Sequence, residues 1–376
     1  VSPTPVTTNL PTQPATYSWE ATDEEVAARY GVPLDSILRF DLNTSPAPPE
    51  IAGRVLAAGR FDGPLSEYPP ADYRRLVETA ARVYDVEFDE LLVGAGADEI
   101  LDLIGKVFIP AGGQAVIPTP TYAMYRVVTE QRGARAVFVP RLGPDASWSI
   151  DEDAVRAGAA TADLVWLCSP NNPTALAEPD GAIARLLDAI ATDAAAAGRS
   201  PAIVALDEAY AEFVDRSLVE LRLDHPNLVV VRTASKAYGL AGLRVGFAIA
   251  RPETIARIAP FRPPGSVSIV SVTVVTEALA DPAGMRANVA RVDAERDRLA
   301  TALLDAGWGV GPSVTNFLLV DLGTPDRAAA IATGLLERGL VPRTFPAGHP
   351  LAHALRLTIR DQVGNDRLIA AAREIG

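Results

Sequence analysis

Between Leu91 and Ala250 the chain alternates almost wholly apolar runs with stretches of helical periodicity, and this limits the fold more than any other feature. The apolar runs are Leu91–Gly94, Gln114–Pro118, Ala134–Pro140, Asp163–Pro170, Ala202–Tyr210, Leu228–Thr233 and Leu243–Ala250. Helical patterns over Asp98–Phe108, Tyr122–Arg132 and Pro179–Ala197 separate most of them. A strand that is apolar at successive positions has no face to give to water, so such strands belong in a mostly parallel sheet covered by helices on both sides. The pattern changes after about Pro264. Long helices are expected over Ser266–Ala280 and Ala283–Ala306, then a strand over Asn316–Leu322, a helix over Asp326–Arg338, strands Leu340–Arg343 and Ala354–Ile359, and a last helix ending near Ile375. The expected organisation is an arm over 1–45 that joins the small domain and the substrate entrance, a large α/β domain over 46–265, and a smaller α+β domain over 266–376. Within the arm, the Pro- and Thr-rich first sixteen residues read as extended or disordered chain, and Asp23–Tyr30 as a short helix. The connector Asp41–Glu50 is too rich in proline to be helical throughout.

Charge narrows the function. Asp and Glu number 47 against 34 Lys and Arg, a net charge of −13. A field of that sign does not suit binding to a nucleic-acid backbone or an anionic membrane. The one cysteine, Cys168, excludes a disulfide scaffold and reads as a small core residue. No apolar run reaches the roughly 18 residues of a spanning helix. With no basic and apolar leader pattern at Val1, a cytoplasmic location is expected. His349 and His353 are four apart, but Pro350 between them argues against a helical metal pair. Only two of the basic residues are lysines, Lys106 and Lys236. In a chain that otherwise uses arginine, a retained lysine suggests an amine that must lose its proton, which a guanidinium cannot do.

In an open parallel sheet, ligands bind beyond the carboxyl ends of the strands. Four polar clusters fall there. Gly94-Ala95-Gly96-Ala97-Asp98-Glu99 joins a strand to a helix, where small residues let backbone amides approach an anion. Ser169-Pro170-Asn171-Asn172-Pro173-Thr174 follows an apolar strand. Asp207, in Leu206-Asp207-Glu208-Ala209-Tyr210, ends a buried strand and needs a cationic partner that the sequence does not obviously supply. Lys236 stands among small residues in the segment from Thr233 to Arg244, a setting that depresses an amine's pKa. Taken singly, each has an ordinary explanation as a turn, a helix cap or a surface lysine; order and spacing carry the signal.

With SPNNPT, DEAY and SKAYGLAGLR in that order, the chain resembles the fold-type-I pyridoxal-phosphate aminotransferases from about Asp41 to Arg367. It is most similar to the histidinol-phosphate branch, with the threonine-phosphate decarboxylases nearby. The resemblance implies a large domain with a mostly parallel mixed sheet between helices, plus a smaller α+β domain. It implies pyridoxal 5'-phosphate as cofactor, held covalently by Lys236, which also moves the substrate proton. Asp207 would pair with the pyridinium nitrogen, while Asn172 and Tyr210 would bond the ring oxygen and Tyr122 would stack on the ring. The turn at Gly96, Ala97 and Asp98, with Ser235 and Arg244, would bind the phosphate. Tyr68 would reach the phosphate of a neighbouring subunit, which implies a homodimer with shared active sites.

For the substrate, the resemblance implies that Arg356 takes the α-carboxylate. Arg343 and Arg367, thirteen residues before it and eleven after, would grip a substrate phosphate, with Asn43 and Tyr17 closing the pocket. The implied reaction converts L-histidinol phosphate and 2-oxoglutarate to imidazole-acetol phosphate and glutamate. Transamination of aromatic amino acids, or decarboxylation of threonine phosphate, would fit the same scaffold. A non-catalytic binding protein on this fold is disfavoured by the intact Lys236, Asp207 and Arg356. Two departures bear on the substrate: the branch's Asn-Glu-Asn-Pro is Asn43-Thr44-Ser45-Pro46, and a glycine four residues after the substrate arginine is Arg360.

Overall fold

The computed structural model describes residues 15–376, so most of the arm expected over the first sixteen residues lies outside the described residues. Helix α1 (Asp23–Tyr30) starts where Thr22 and Glu25 exchange hydrogen bonds as a capping box, and stops at Gly31 in the left-handed conformation. Strand β1 (Leu38–Arg39), helix α2 (Glu50–Ala58) and helix α3 (Arg74–Tyr84) follow. The alternating region then runs β2 (Leu91–Gly94), α4 (Gly96–Phe108), β3 (Gln114–Thr119), α5 (Met124–Gln131), β4 (Arg135–Pro140), α6 (Glu152–Ala159), β5 (Leu164–Cys168), α7 (Ala182–Ala196), β6 (Ile203–Asp207), β7 (Leu228–Thr233) and β8 (Gly246–Ala250). After α8 (Pro252–Ile258) and α9 (Ile269–Ala280) come α10 (Pro282–Asp305), β9 (Gly309–Val310), β10 (Phe317–Asp321), α11 (Pro325–Leu336), β11 (Leu340–Val341), β12 (Ala354–Thr358) and α12 (Gln362–Ile375).

Seven strands form the main sheet in the order β2-β8-β7-β6-β5-β3-β4. Successive residues of each central strand enter opposite cores. Val204 and Leu206 face the core shared with α3, α7 and α9, while Ala205 faces the one shared with α4, α5 and α8. That alternation puts Asp207 on the α4/α5 side. Strand β8 runs antiparallel to both neighbours, which makes the mostly parallel sheet a mixed one, as expected. The segment 234–245 between β7 and β8 holds only one short 3-10 turn, Ala241–Leu243, and so lacks the helical crossover that a parallel return needs. Reversal places Gly246, Thr233 and Gly94 side by side at the sheet edge where β5 and β6 end in paired Cys168 and Asp207.

Helix α9 lies just past the boundary expected at 265/266. Helix α9 is apolar nearly all round and packs on α2 and α3, and Val272, Val274, Val275 and Leu279 belong to the main-sheet core. Its end at Asp281 is also the cap of α10, and from α10 onward residues such as Leu299, Leu303, Phe317, Leu335 and Leu368 form a second core around the sheet β12-β10-β9. The N-terminal segment returns to this smaller unit. β1 pairs with β11, Phe40 enters its core, and Thr358 in β12 donates from both its backbone and its hydroxyl to the Phe40 carbonyl.

Candidate active site

A cavity of about 370 Å³ opens at the carboxyl edge of the main sheet, closed on its far side by the smaller unit and the N-terminal segment. Lys236, Asp207, Tyr210, Asn172, Tyr122, Ser235, Arg244, Arg356, Arg343, Asn43 and Tyr17 all line it, as do Ala97 and Asp98, so most of the expected site residues converge in three dimensions.

Lys236 extends from the loop after β7, and its Nζ donates to the carbonyl of Asn43 at 3.2 Å. Burial, then the positive charge of Arg356, lower its amine to about 8. Asn43 is held in a left-handed turn, φ 54°, by Thr358 Oγ1 and by Asn316, whose amide also donates to the Asn43 carbonyl at 2.9 Å. Its own amide donates to the Tyr210 hydroxyl at 3.0 Å. The segment that departs from the family pattern therefore contacts the reactive amine through its backbone.

Asp207 is buried at the end of β6, and burial raises its carboxyl to about 6. Oδ1 accepts the Ala209 N–H at 3.0 Å and Oδ2 the Tyr125 hydroxyl at 2.8 Å. Tyr125 is fully buried and stacks on Trp166 with ring centroids 5.4 Å apart. Sequence reasoning missed Tyr125; the only hint was its place one helical turn after Tyr122. Cys168, the neighbour of Asp207 in the sheet, is pushed up to about 12 by burial and stays a thiol at neutral pH.

The opposite pole is built for an anion. Gly96 opens α4 at φ +82°, and a Cβ there would lie 2.5 Å from Arg244 Nη2. Gly246 packs so closely under this turn that its Cβ would meet the Ala97 nitrogen at 2.5 Å. Arg244 bonds Asp98 at 3.0 Å, Tyr122 donates to the other oxygen of the same carboxylate at 3.0 Å, and Ser235 accepts from Thr233 at 2.9 Å.

Arg356 lies in β12, almost fully buried. Its guanidinium donates to Asn172 Oδ1 at 2.6 Å and to the Asp41 carbonyl, while Nε has no partner. Arg343 sits at the wall with its guanidinium 5.5 Å from the Tyr17 ring centre, bonded to the Ser18 carbonyl at 2.7 Å. Arg367 does not join them. From α12 it donates to the carbonyls of Ser36 and Arg338, so the sequence spacing was right for a helix but gave no direction to the side chain. Arg360 also stays outside the cavity, donating to the Arg39 carbonyl. Tyr68 is 95% exposed on the loop before α3 and away from this chain's cavity.

The model of the aminotransferase class I and II family matches residues 43–371. The chain belongs to that family. This aminotransferase is 35% identical to the histidinol-phosphate aminotransferase of Roseiflexus castenholzii over 94% of this chain and 93% of the relative. It is 34% identical to that of Symbiobacterium thermophilum over 93% of each. Among solved structures, the histidinol-phosphate aminotransferase of Sinorhizobium meliloti in complex with pyridoxal-5'-phosphate superposes with a TM-score of 0.85 at 26% identity, covering 95% of both chains.

The aminotransferase's own residues fit pyridoxal phosphate. Among the described residues, Asp207 has no cation in contact and Lys236 no carboxylate. A buried acid and a buried amine left apart are costly unless a ligand answers both, and a pyridinium ring bearing an aldehyde does so. The glycine-built turn at α4 with Arg244 suits its phosphate.

Proposed function

We propose that this aminotransferase transfers the amino group of L-histidinol phosphate to 2-oxoglutarate, giving imidazole-acetol phosphate and glutamate. The observation that carries the substrate reading is the pair of arginines, Arg356 and Arg343, lining the same cavity as Lys236. Histidinol phosphate has no α-carboxylate; a phosphate ester stands on the carbon next to the one that bears its amine. 2-Oxoglutarate presents a carboxylate at the equivalent place. With Arg367 bonded elsewhere, Arg356 and Arg343 take both anions in turn, rather than dividing carboxylate and phosphate between separate arginines.

The bound cofactor supplies an electron sink that lets a bond at the substrate's Cα break. The protein's part is to hold, orient and move protons. Lys236 would hold the cofactor and, once released, its amine would take the proton from the substrate Cα and deliver it to the cofactor carbon that had carried the aldehyde. Asp207, aimed by Tyr125 and the Ala209 amide, keeps a proton on the ring nitrogen. Tyr210 and Asn172 hold the ring oxygen, and Tyr122 packs on the ring face. The Ala97 and Asp98 amides at the Gly96 turn, Ser235 and Arg244 fix the phosphate. Arg356 gives up its bond to Asn172 or shares it when the substrate anion arrives. A fork that fixes the anion also fixes which bond at Cα faces the ring.

A homodimer belongs to this reading: Tyr68 and Leu65 are exposed in the single chain, and in a dimer Tyr68 would reach toward the cofactor phosphate of the other subunit. The soluble substrates suit the cytoplasm, and no helix among the described residues is long and apolar enough to cross a membrane. The test is a panel of half-reactions with histidinol phosphate, phenylalanine, glutamate and threonine phosphate, followed by the keto product formed. Rapid conversion of histidinol phosphate supports the assignment. Conversion of phenylalanine without histidinol phosphate, or carbon dioxide release from threonine phosphate, overturns it.

A further inference from the structure

We propose that Trp19 is a specificity-determining residue that receives the planar ring of the amino donor at the cavity mouth. The inference rests on the reading above that the donor carries a ring on one side of Cα and an anion on the other.

Trp19 lines the cavity, yet the residue is 70% exposed. An indole offers a large apolar face, and one left in water at a binding cavity has its contact area still available. The segment that carries it is pinned on both sides. Arg343 donates to the Ser18 carbonyl at 2.7 Å. Glu20 accepts the Thr344 N–H at 2.8 Å and its hydroxyl at 2.9 Å. Arg39 donates to the Ala21 carbonyl at 2.6 Å. The indole is thus presented by a fixed backbone.

Its surroundings form an aromatic series running inward. Trp19 meets Tyr17 edge-on at 4.8 Å, Tyr17 meets Tyr122 at 6.0 Å, and Tyr122 meets Tyr125 at 5.7 Å, next to Asp207. Arg343 covers the same Tyr17 ring. One phenol therefore separates an anion-binding guanidinium from an exposed indole. A donor whose anion engages Arg343 and Arg356 has its ring within reach of Tyr17 and Trp19. Glutamate and 2-oxoglutarate have no ring, so only one of the two half-reactions uses the indole.

The test compares the parent holoenzyme with Trp19→Ala and Trp19→Phe in separate half-reactions with histidinol phosphate, phenylalanine and glutamate, and reads tryptophan fluorescence on adding each donor. For Trp19→Ala, kcat/KM for the ring-bearing donor falls about tenfold, carried by KM, as expected for one lost aromatic contact. The value for glutamate changes less than about twofold, and Trp19→Phe recovers most of the loss. Fluorescence of the parent changes with the ring-bearing donor, and this component is missing in Trp19→Phe. An equal fall for all donors, or no fall for any, overturns the proposal. If the parent converts phenylalanine but not histidinol phosphate, the substrate assignment above fails, while a selective loss on phenylalanine in Trp19→Ala still supports the ring subsite.

Discussion

The Tyr125 hydroxyl donates to Oδ2 of Asp207 at 2.8 Å, in a pocket where both groups are buried. The bond holds a carboxylate that burial alone pushes toward its acid form. Tyr125→Phe removes the donor while keeping the ring on Trp166. A lost hydrogen bond to a buried charged group costs about 1.5–3 kcal/mol. The variant is expected to bind pyridoxal phosphate at least about tenfold more weakly by absorbance titration, with unchanged far-ultraviolet circular dichroism. Unaltered cofactor affinity would remove Tyr125 from the account.

The amine of Lys236 lies at about 8 in the folded chain. Only the neutral amine attacks an aldehyde, so the rate of covalent cofactor capture by the apoprotein rises with pH through about 8 and levels above it. Arg356 contributes to the depression because a nearby positive charge disfavours the ammonium form. Arg356→Gln therefore moves the midpoint to higher pH. Stopped-flow absorbance across pH 6 to 10 measures both curves; a midpoint that stays put or falls would contradict the assignment of that cause.

Gly246, the first residue of β8, faces the first turn of α4 with no room for a methyl group: a Cβ would run into the Gly96 carbonyl carbon and meet the Ala97 nitrogen at 2.5 Å. Gly246→Ala forces that turn away from the sheet, at a cost of about 1–3 kcal/mol. Cofactor affinity drops, and addition of inorganic phosphate, which raises the melting temperature of the parent apoprotein, raises that of the variant less. Equal phosphate stabilisation in both would place the anion site elsewhere.

Arg343 and Arg367 separate by experiment. Arg343→Ala raises KM for both histidinol phosphate and 2-oxoglutarate by about tenfold or more, as the loss of a charge-assisted contact requires. Arg367→Ala leaves both within about twofold but lowers stability by about 1–2 kcal/mol, since two carbonyls lose their donor. The reverse outcome would restore the role that sequence spacing assigned to Arg367.

Much of this site was legible because strand ends are marked by a change from apolar to polar residues. β2 and β7 begin and end where their apolar runs do, Asp207 is the last residue of β6, and Lys236 follows the end of β7. What stayed hidden depends on contacts far apart in the chain. A helix buried nearly all round, such as α9, does not say which core it enters. The direction of β8 depended on the absence of a crossover helix. Tyr125 finds Asp207 only once α5 packs on the sheet. Arg367 shows the same limit from the other side: position on a helix follows from periodicity, but the partner of a long side chain does not.

The chain contains two lysines, and Lys106 is engaged on α4 with Asp102 at 2.5 Å, away from the cavity. Reducing the cofactor-loaded protein with borohydride, digesting it and weighing the peptides identifies which amine holds pyridoxal phosphate. The expected result is a single modified peptide containing Lys236, lost in Lys236→Ala together with transamination. Modification confined to Lys106, or full turnover by Lys236→Ala, would contradict the account at its centre.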